Sequence, residues 1–170
     1  TSSGAFNAGT GTGFRLAVGS GVGTVSSVGG PVIDFDSATI DLQSATITGS
    51  GSTTQGLRFN SARGTFSTNN GSSLSTSNAA ATAFLSNGSA ISSTFAGPIT
   101  VTAGKGVELT SNAGSTFSFR GGLAFNTGAN AAFLATGGGT IEVCDENPCN
   151  AGATGALVNT LTTTTATALN

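Results

Sequence analysis

Charged residues are scarce in this chain, so the few that cluster are the first candidates for chemistry. Residues 34–41 read DFDSATID and bring together Asp34, Asp36 and Asp41. Paired carboxylates are what glycosidic cleavage uses, one as acid and the other as base or nucleophile. They are also hard oxygen ligands for calcium. On an extended strand Asp34 and Asp36 share one face, about 7 Å apart. If the chain is a stack of coils, Arg58 falls in the same outward column as Asp34, one coil on. Arg15 falls one coil before. An outward charge ladder Arg15–Asp34–Arg58 is then the simpler account of this cluster, contributing roughly 0.2–1 kcal/mol per exposed pair.

A second cluster surrounds the two cysteines, in Cys144-Asp145-Glu146-Asn147-Pro148-Cys149. Glu142, Asp145 and Glu146 offer oxygen ligands of the kind calcium takes. The GGxGxD nonapeptide of calcium-binding toxin repeats is absent, and a solvated turn is the plainer expectation. There is no His and no third Cys to complete a zinc site. The turn-forming Asn147-Pro148 suits a small disulfide loop joining Cys144 to Cys149, and with it an oxidising, extracytoplasmic setting. Projecting from an otherwise plain surface, this loop is the candidate point of contact with a ligand or partner.

Other catalytic arrangements lack their parts. Without His there is no triad, and Lys105 lies in a turn, TAGKG. The Gly-rich runs GTGTG and GGG are not followed by a phosphate-cradling Lys-Ser/Thr. The chain is therefore expected not to be an enzyme, and no cofactor is expected beyond calcium at the acidic loop.

The elements that must position these residues follow from composition and spacing. Of 170 residues only 7% are charged, 27 are Gly, and all 11 aromatics are Phe. The net charge of −2 gives no basic footprint for nucleic acid. No apolar run approaches the roughly 20 residues of a membrane span. No signal peptide is visible at the start. The apolar residues, at 37%, are placed too regularly for a disordered linker.

They recur in units of about 25 residues. Units start at Gly30 (GPVIDFDS), Gly56 (GLRFNS), Thr82 (TAFLSN), Gly106 (GVELTS), Ala131 (AAFLAT) and Gly155 (GALVNT). A shorter copy, GFRLAV, begins at Gly13. Each unit holds three short strands separated by Gly, Asn or Ser turns, and the fifth replaces its third strand with the cysteine loop. Such strands are too short to stand alone. Stacked, they pair in parallel about 4.8 Å apart. The expected fold is all-β: a right-handed three-sheet parallel β-helix, a solenoid of about 25 residues per coil. Residues 1–29 are expected to form a short capping coil or assembly segment, and residues 30–170 the repeats.

Alternation assigns the faces. Ile33/Phe35, Leu57/Phe59 and Val107/Leu109 point inward from the first strands. Ile40/Leu42, Phe66, Ile91, Phe117/Phe119 and Ile141/Val143 do so from the second, and Ile47, Leu74, Ile99/Val101 and Leu123/Phe125 from the third. The second strands stack Ile40, Phe66, Ile91, Phe117 and Ile141 in one column. Phe84 and Phe133 fall on polar positions: either the register slips by one there, or both are exposed. The outward pairs Thr39/Asp41, Thr65/Ser67, Ala90/Ser92, Thr116/Ser118 and Thr140/Glu142 form a hydroxyl face like those of ice-binding solenoids, interrupted by Ala90 and by acids.

The phrases SSVGGPVIDF, GGGTIEV and TGALVNTLTTTTATALN resemble the large bacterial β-strand-repeat surface proteins, which are akin to autotransporter passengers and filamentous-haemagglutinin-type adhesins. The resemblance covers most of the chain and is weakest over residues 1–29. It implies an exported, extracellular or cell-surface protein with a structural or adhesive role, and it carries over no catalytic residue. The partners expected are further repeats or copies of the same chain joined end to end, because no charged or helical cap is visible at residues 155–170. Surface glycans and host or matrix surfaces are the other partners expected. A carbohydrate-binding or polysaccharide-degrading β-helix is the rival reading, and the absence of Trp and Tyr for sugar stacking weighs against it.

Overall fold

A computed structural model describes residues 23–144 and 159–170, with the backbone alone of residues 6–8 and Ser44. It is a parallel β-solenoid of about five turns with about 24 residues per turn, and the described residues contain no helix. Three ladders run along it. The first contains β1 (Phe6–Ala8), β3 (Ile33–Asp36), β5 (Gln55–Asn60), β8 (Thr82–Asn87), β11 (Lys105–Thr110) and β14 (Phe133–Thr136). The second runs from the start of β4 (Thr39–Ser50) through β6 (Arg63–Thr68), β9 (Ala90–Phe95) and β12 (Thr116–Phe119) to β15 (Thr140–Val143). The third contains β2 (Thr24–Val28), the end of β4, β7 (Ser73–Thr76), β10 (Ile99–Val101), β13 (Leu123–Asn126) and β16 (Thr160–Thr162). Every pairing among them is parallel, so each coil's backbone is satisfied by its two neighbours.

Register departs from the spacing-based alignment in informative places. Leu57 pairs with Phe84, Phe84 with Val107, and Val107 with Phe133. Both phenylalanines therefore occupy inward positions and are buried. The alignment had slipped by one at each, because the turn before β8 and the turn before β14 differ in length from their counterparts. The second ladder shifts too: Phe66 pairs with Ser93, not Ile91, and Ser93 with Phe117. The column is Leu42, Phe66, Ser93, Phe117 and Ile141, while Ile91 stands beside Gly64 and Ile40 in the next one.

The ends of the chain differ as well. The strand before β3 in its ladder is Phe6–Ala8, with Asn7 opposite Asp34. GFRLAV, which the spacing placed there, lies outside the described residues. The fifth coil keeps its third strand: β16 pairs with β13 after the cysteine loop, and Phe133 then bridges to Leu169. The cysteine loop is thus an insertion between β15 and β16, and the residues over β14 are 168–170 rather than GALVNT. Residues 145–158 themselves lie outside the described residues.

Phenylalanines carry the core. Phe35, Phe59, Phe84, Phe119 and Phe133 form a chain of ring contacts with centroid separations of 5.1–6.0 Å, and Phe66, Phe95 and Phe117 join from the side. Burying each such ring removes 150–250 Å² from water, which at about 25 cal/mol per Å² far exceeds what any surface pair contributes.

At the corners, buried hydroxyls and amides replace strand pairing. Ser72 Oγ accepts from Ile47 N, Ser89 Oγ from Ala62 N and Ser115 Oγ from Ile91 N, each from the coil before. Asn112 is fully buried. Its Oδ1 accepts from the Ser86 hydroxyl and from Ser89 N, and its Nδ2 donates to Ser86 O. The corner after each first strand is left-handed: Ser37, Ser61 and Ser111 have φ of 53°, 52° and 55°, and Gly88 and Gly137 take the equivalent places. Each of these five except Gly137 donates its N–H to the coil after it, so the ladder passes through the bend. Serine tolerates this region at some cost, which glycine avoids.

Candidate functional site

The acidic strand and its neighbours form the first candidate. β3 and β5 pair so that Asp34 lies opposite Arg58 and Asp36 opposite Asn60. Arg58 Nε donates to Asp34 Oδ1 at 2.6 Å, and Arg58 Nη2 to Asp36 Oδ2 at 3.3 Å. Asn60 Nδ2 donates to Asp36 Oδ1 at 3.1 Å. One guanidinium therefore spans both carboxylates, and a side-chain amide takes up a further oxygen. The hydrogen bond that Arg58 donates to Asp34 raises the Arg58 pKa above its ordinary value, against desolvation, so this group stays cationic. A raised base pKa stabilises the fold below the unfolded-state value and is lost only as pH climbs past the folded one. Arg58 therefore contributes no pH dependence near neutrality. Asp41 stands apart on β4, next to Thr65, and accepts from Gln43 Nε2. Arg15 lies outside the described residues, and Asn7 occupies the position beside Asp34 that the ladder reading gave it.

This geometry binds the two carboxylates to a cation instead of presenting them to a substrate. The pair is partly exposed, so its contribution is small. Arg58→Met is expected to lower the unfolding free energy by about 0.5–1 kcal/mol in urea titrations at low salt. The difference from wild type should shrink in 1 M salt, where the Debye length falls to about 3 Å.

The cysteine loop is the second candidate. Cys144 is buried at the end of β15, and its N–H donates to Phe119 O. Glu142 is exposed and accepts from Ser118 Oγ at 3.0 Å. Cys149, Asp145 and Glu146 lie outside the described residues. Among the described residues, no group of three or more His, Cys, Asp or Glu is placed to hold a metal ion. The ends of the insertion are held together: Asn159 Nδ2 donates to Cys144 O, and Asn159 Oδ1 accepts from Leu123 N. If the cysteines are joined as the spacing suggests, thiol alkylation under denaturing, non-reducing conditions should add no label. Prior reduction should add two labels, one per cysteine.

The hydroxyl face changes with the register. Its rows are Thr65/Ser67, Ser92/Thr94, Thr116/Ser118 and Thr140/Glu142, preceded by Asp41 beside Thr65. Ala90 does not interrupt it, because Ala90 pairs with Arg63 one position earlier. The face is not open, however. Ser118 is buried, its hydroxyl receives a bond from Arg120 Nε, and it donates to Glu142. Charged side chains thus cover part of one column, which is poor design for a flat array meeting ordered water.

A third feature was not legible in the sequence. At the C-terminal end the solenoid interior opens into a cavity of about 400 Å³, lined by Leu123, Phe133, Ile141, Val143, Leu161 and Leu169, among others. Ile141 and Val143 occupy inward columns yet are 37% and 43% exposed, whereas their partners one coil earlier, Phe117 and Phe119, are sealed.

Among the described residues, no helix is long and apolar enough to cross a membrane. The chain matches no family model, no curated protein and no solved structure.

Proposed function

We propose that this chain is a non-enzymatic structural module of a secreted bacterial protein, located at the cell surface or in the extracellular matrix. It forms a stiff segment of rod that supports adhesion or builds a filament or layer. The observation that carries this reading is the uninterrupted run of three parallel ladders around one phenylalanine-rich core. Such a stack is rigid along its axis and extends by adding coils, each contacting only its neighbours. The chemistry of its surface agrees. The only close carboxylate pair described is neutralised by Arg58, and the exposed faces are Thr, Ser and Asn. The extracellular placement rests on the resemblance to β-strand-repeat surface proteins and on the expected disulfide.

Two measurements test it. Antibody against the purified chain should label intact cells of the source organism without permeabilisation. Incubation with a panel of polysaccharides should release neither reducing ends nor unsaturated products. Turnover in the second assay would overturn the structural reading in favour of a carbohydrate-active β-helix, and label confined to permeabilised cells would overturn the surface placement.

A further inference from the structure

We propose that Asn70 is a site of spontaneous backbone modification, an asparagine that converts itself to aspartate and isoaspartate while the solenoid stays folded. Two Asn-Gly steps occur in the chain, Asn70-Gly71-Ser72 and Asn87-Gly88-Ser89, with the same three residue types in each. Such a step is labile because glycine has no Cβ to hinder attack by its own backbone nitrogen on the carboxamide before it. Exposure does not separate the two, since Asn70, Gly71, Asn87 and Gly88 are all exposed. What separates them is the partner of the attacking nitrogen.

Asn87 ends β8 and is paired on both sides, with Asn60 and with Thr110. Gly88 N–H donates to Thr110 O at 2.9 Å in the coil after, and Asn87 O accepts from Ser61 N in the coil before. The nitrogen is thus committed to the ladder, and Gly88 is held at a φ of 62°. Ring closure there requires the end of β8 to part from a neighbouring coil first. Breaking one such hydrogen bond corresponds to about tenfold in rate. Asn70 lies instead in the turn between β6 and β7. Gly71 N–H donates at 3.0 Å to the side-chain Oδ1 of Asn69, in the same turn. Its release moves one side chain, which also donates to Thr46 Oγ1, and separates no strands.

In the reaction Gly71 N loses its proton and bonds to Asn70 Cγ. The Cγ–Nδ2 bond breaks and ammonia leaves. Water then opens the cyclic imide at either carbonyl carbon, giving aspartate or isoaspartate. The chain gains one carboxylate, and isoaspartate lengthens the turn by one backbone carbon. That turn leads into Ser72, whose hydroxyl accepts from Ile47 N.

The test holds the purified chain folded at mildly alkaline pH for days and follows both steps by mass spectrometry of chymotryptic peptides. Cuts at Phe66, Leu74, Leu85 and Phe95 place the two asparagines on separate fragments. The Asn70 fragment should acquire the amide-to-acid mass change in two chromatographic forms, and the Asn87 fragment should convert at least about tenfold more slowly. In denaturing urea the two should convert at similar rates, because their local sequences match. Asn70→Gln should abolish conversion at that fragment and leave the circular dichroism unchanged. The proposal is overturned if the folded chain keeps Asn70 intact, if Asn87 converts as fast, or if the same difference in rate persists in urea.

Discussion

Phe84→Ala is expected to lower the unfolding free energy by about 3–5 kcal/mol, a large share of what a domain of this size holds. Phe84 is fully buried, and its ring contacts four others: Phe59 at 5.7 Å, Phe95 at 6.5 Å, Phe117 at 6.1 Å and Phe119 at 5.1 Å. It joins the first ladder to the second through three rings, Phe95, Phe117 and Phe119. Removing it deletes the transfer energy of an aromatic side chain and the edge-to-face contacts besides. The surrounding strands are fixed by coil-to-coil pairing on both sides, so the cavity cannot collapse by sliding one coil. Phe84→Leu, which keeps most of the volume, should cost under half as much. Urea denaturation followed by far-ultraviolet circular dichroism measures both. An alanine variant within 1 kcal/mol of wild type would contradict the register assigned to β8.

Asn112→Ala should cost about 2–5 kcal/mol although it removes only a small polar side chain. The reason is what remains behind. Ser89 N–H, the Ser86 hydroxyl and one bond to Ser86 O all lose their partner inside a site with no exposed surface. Each buried group left unsatisfied costs roughly 1–3 kcal/mol. Asn112→Asp separates this effect from simple volume loss. A carboxyl there is the same size and still accepts from Ser86 and Ser89, but when ionised it cannot donate to Ser86 O. Burial holds the carboxyl pKa above the unfolded value near 3.9. An acid with a raised folded pKa is favoured while protonated, so this variant should lose stability as pH rises from about 4 toward neutrality, by up to about 1.4 kcal/mol per pH unit. Wild type should show no such slope from this site. Chemical denaturation across that pH range reads the difference directly.

Much of the architecture could be read from the residues because the solenoid repeats its physics. Short runs of Val, Ile, Phe and Thr between Gly, Asn and Ser turns permit few other folds. The inward residues of the first and third strands are buried as alternation requires. What escaped was register, and for one reason: turn length varies between coils while the pairing does not. Phe84 and Phe133 looked misplaced until their partners, Leu57 and Val107, were known. Ser93 took the interior position that Ile91 was expected to hold. Asn112 reads as one more polar turn residue, and only a corner folded inward reveals that it is buried. The acidic strand was easier, because Asp34 and Arg58 lie on regular strands of adjacent coils. At the C-terminal end, GALVNT resembles a first strand, yet the third-ladder strand β16 begins only at Thr160.

The step across the cysteine loop has a consequence for how such a chain changes over generations. Leu123 and Asn159, partners in adjacent coils, are separated by 36 residues, against 23 for Ser89 and Asn112 at an ordinary corner. The third ladder nevertheless resumes in line, with Phe125 beside Leu161. Sequence can thus be gained or lost at that bend without disturbing the coils on either side, because alignment is restored by the next inward-facing residue and not by counting. A foreign peptide inserted between Cys144 and Asn159 should be carried on an unaltered scaffold, which makes that bend the natural place for grafted epitopes and for divergence between related chains.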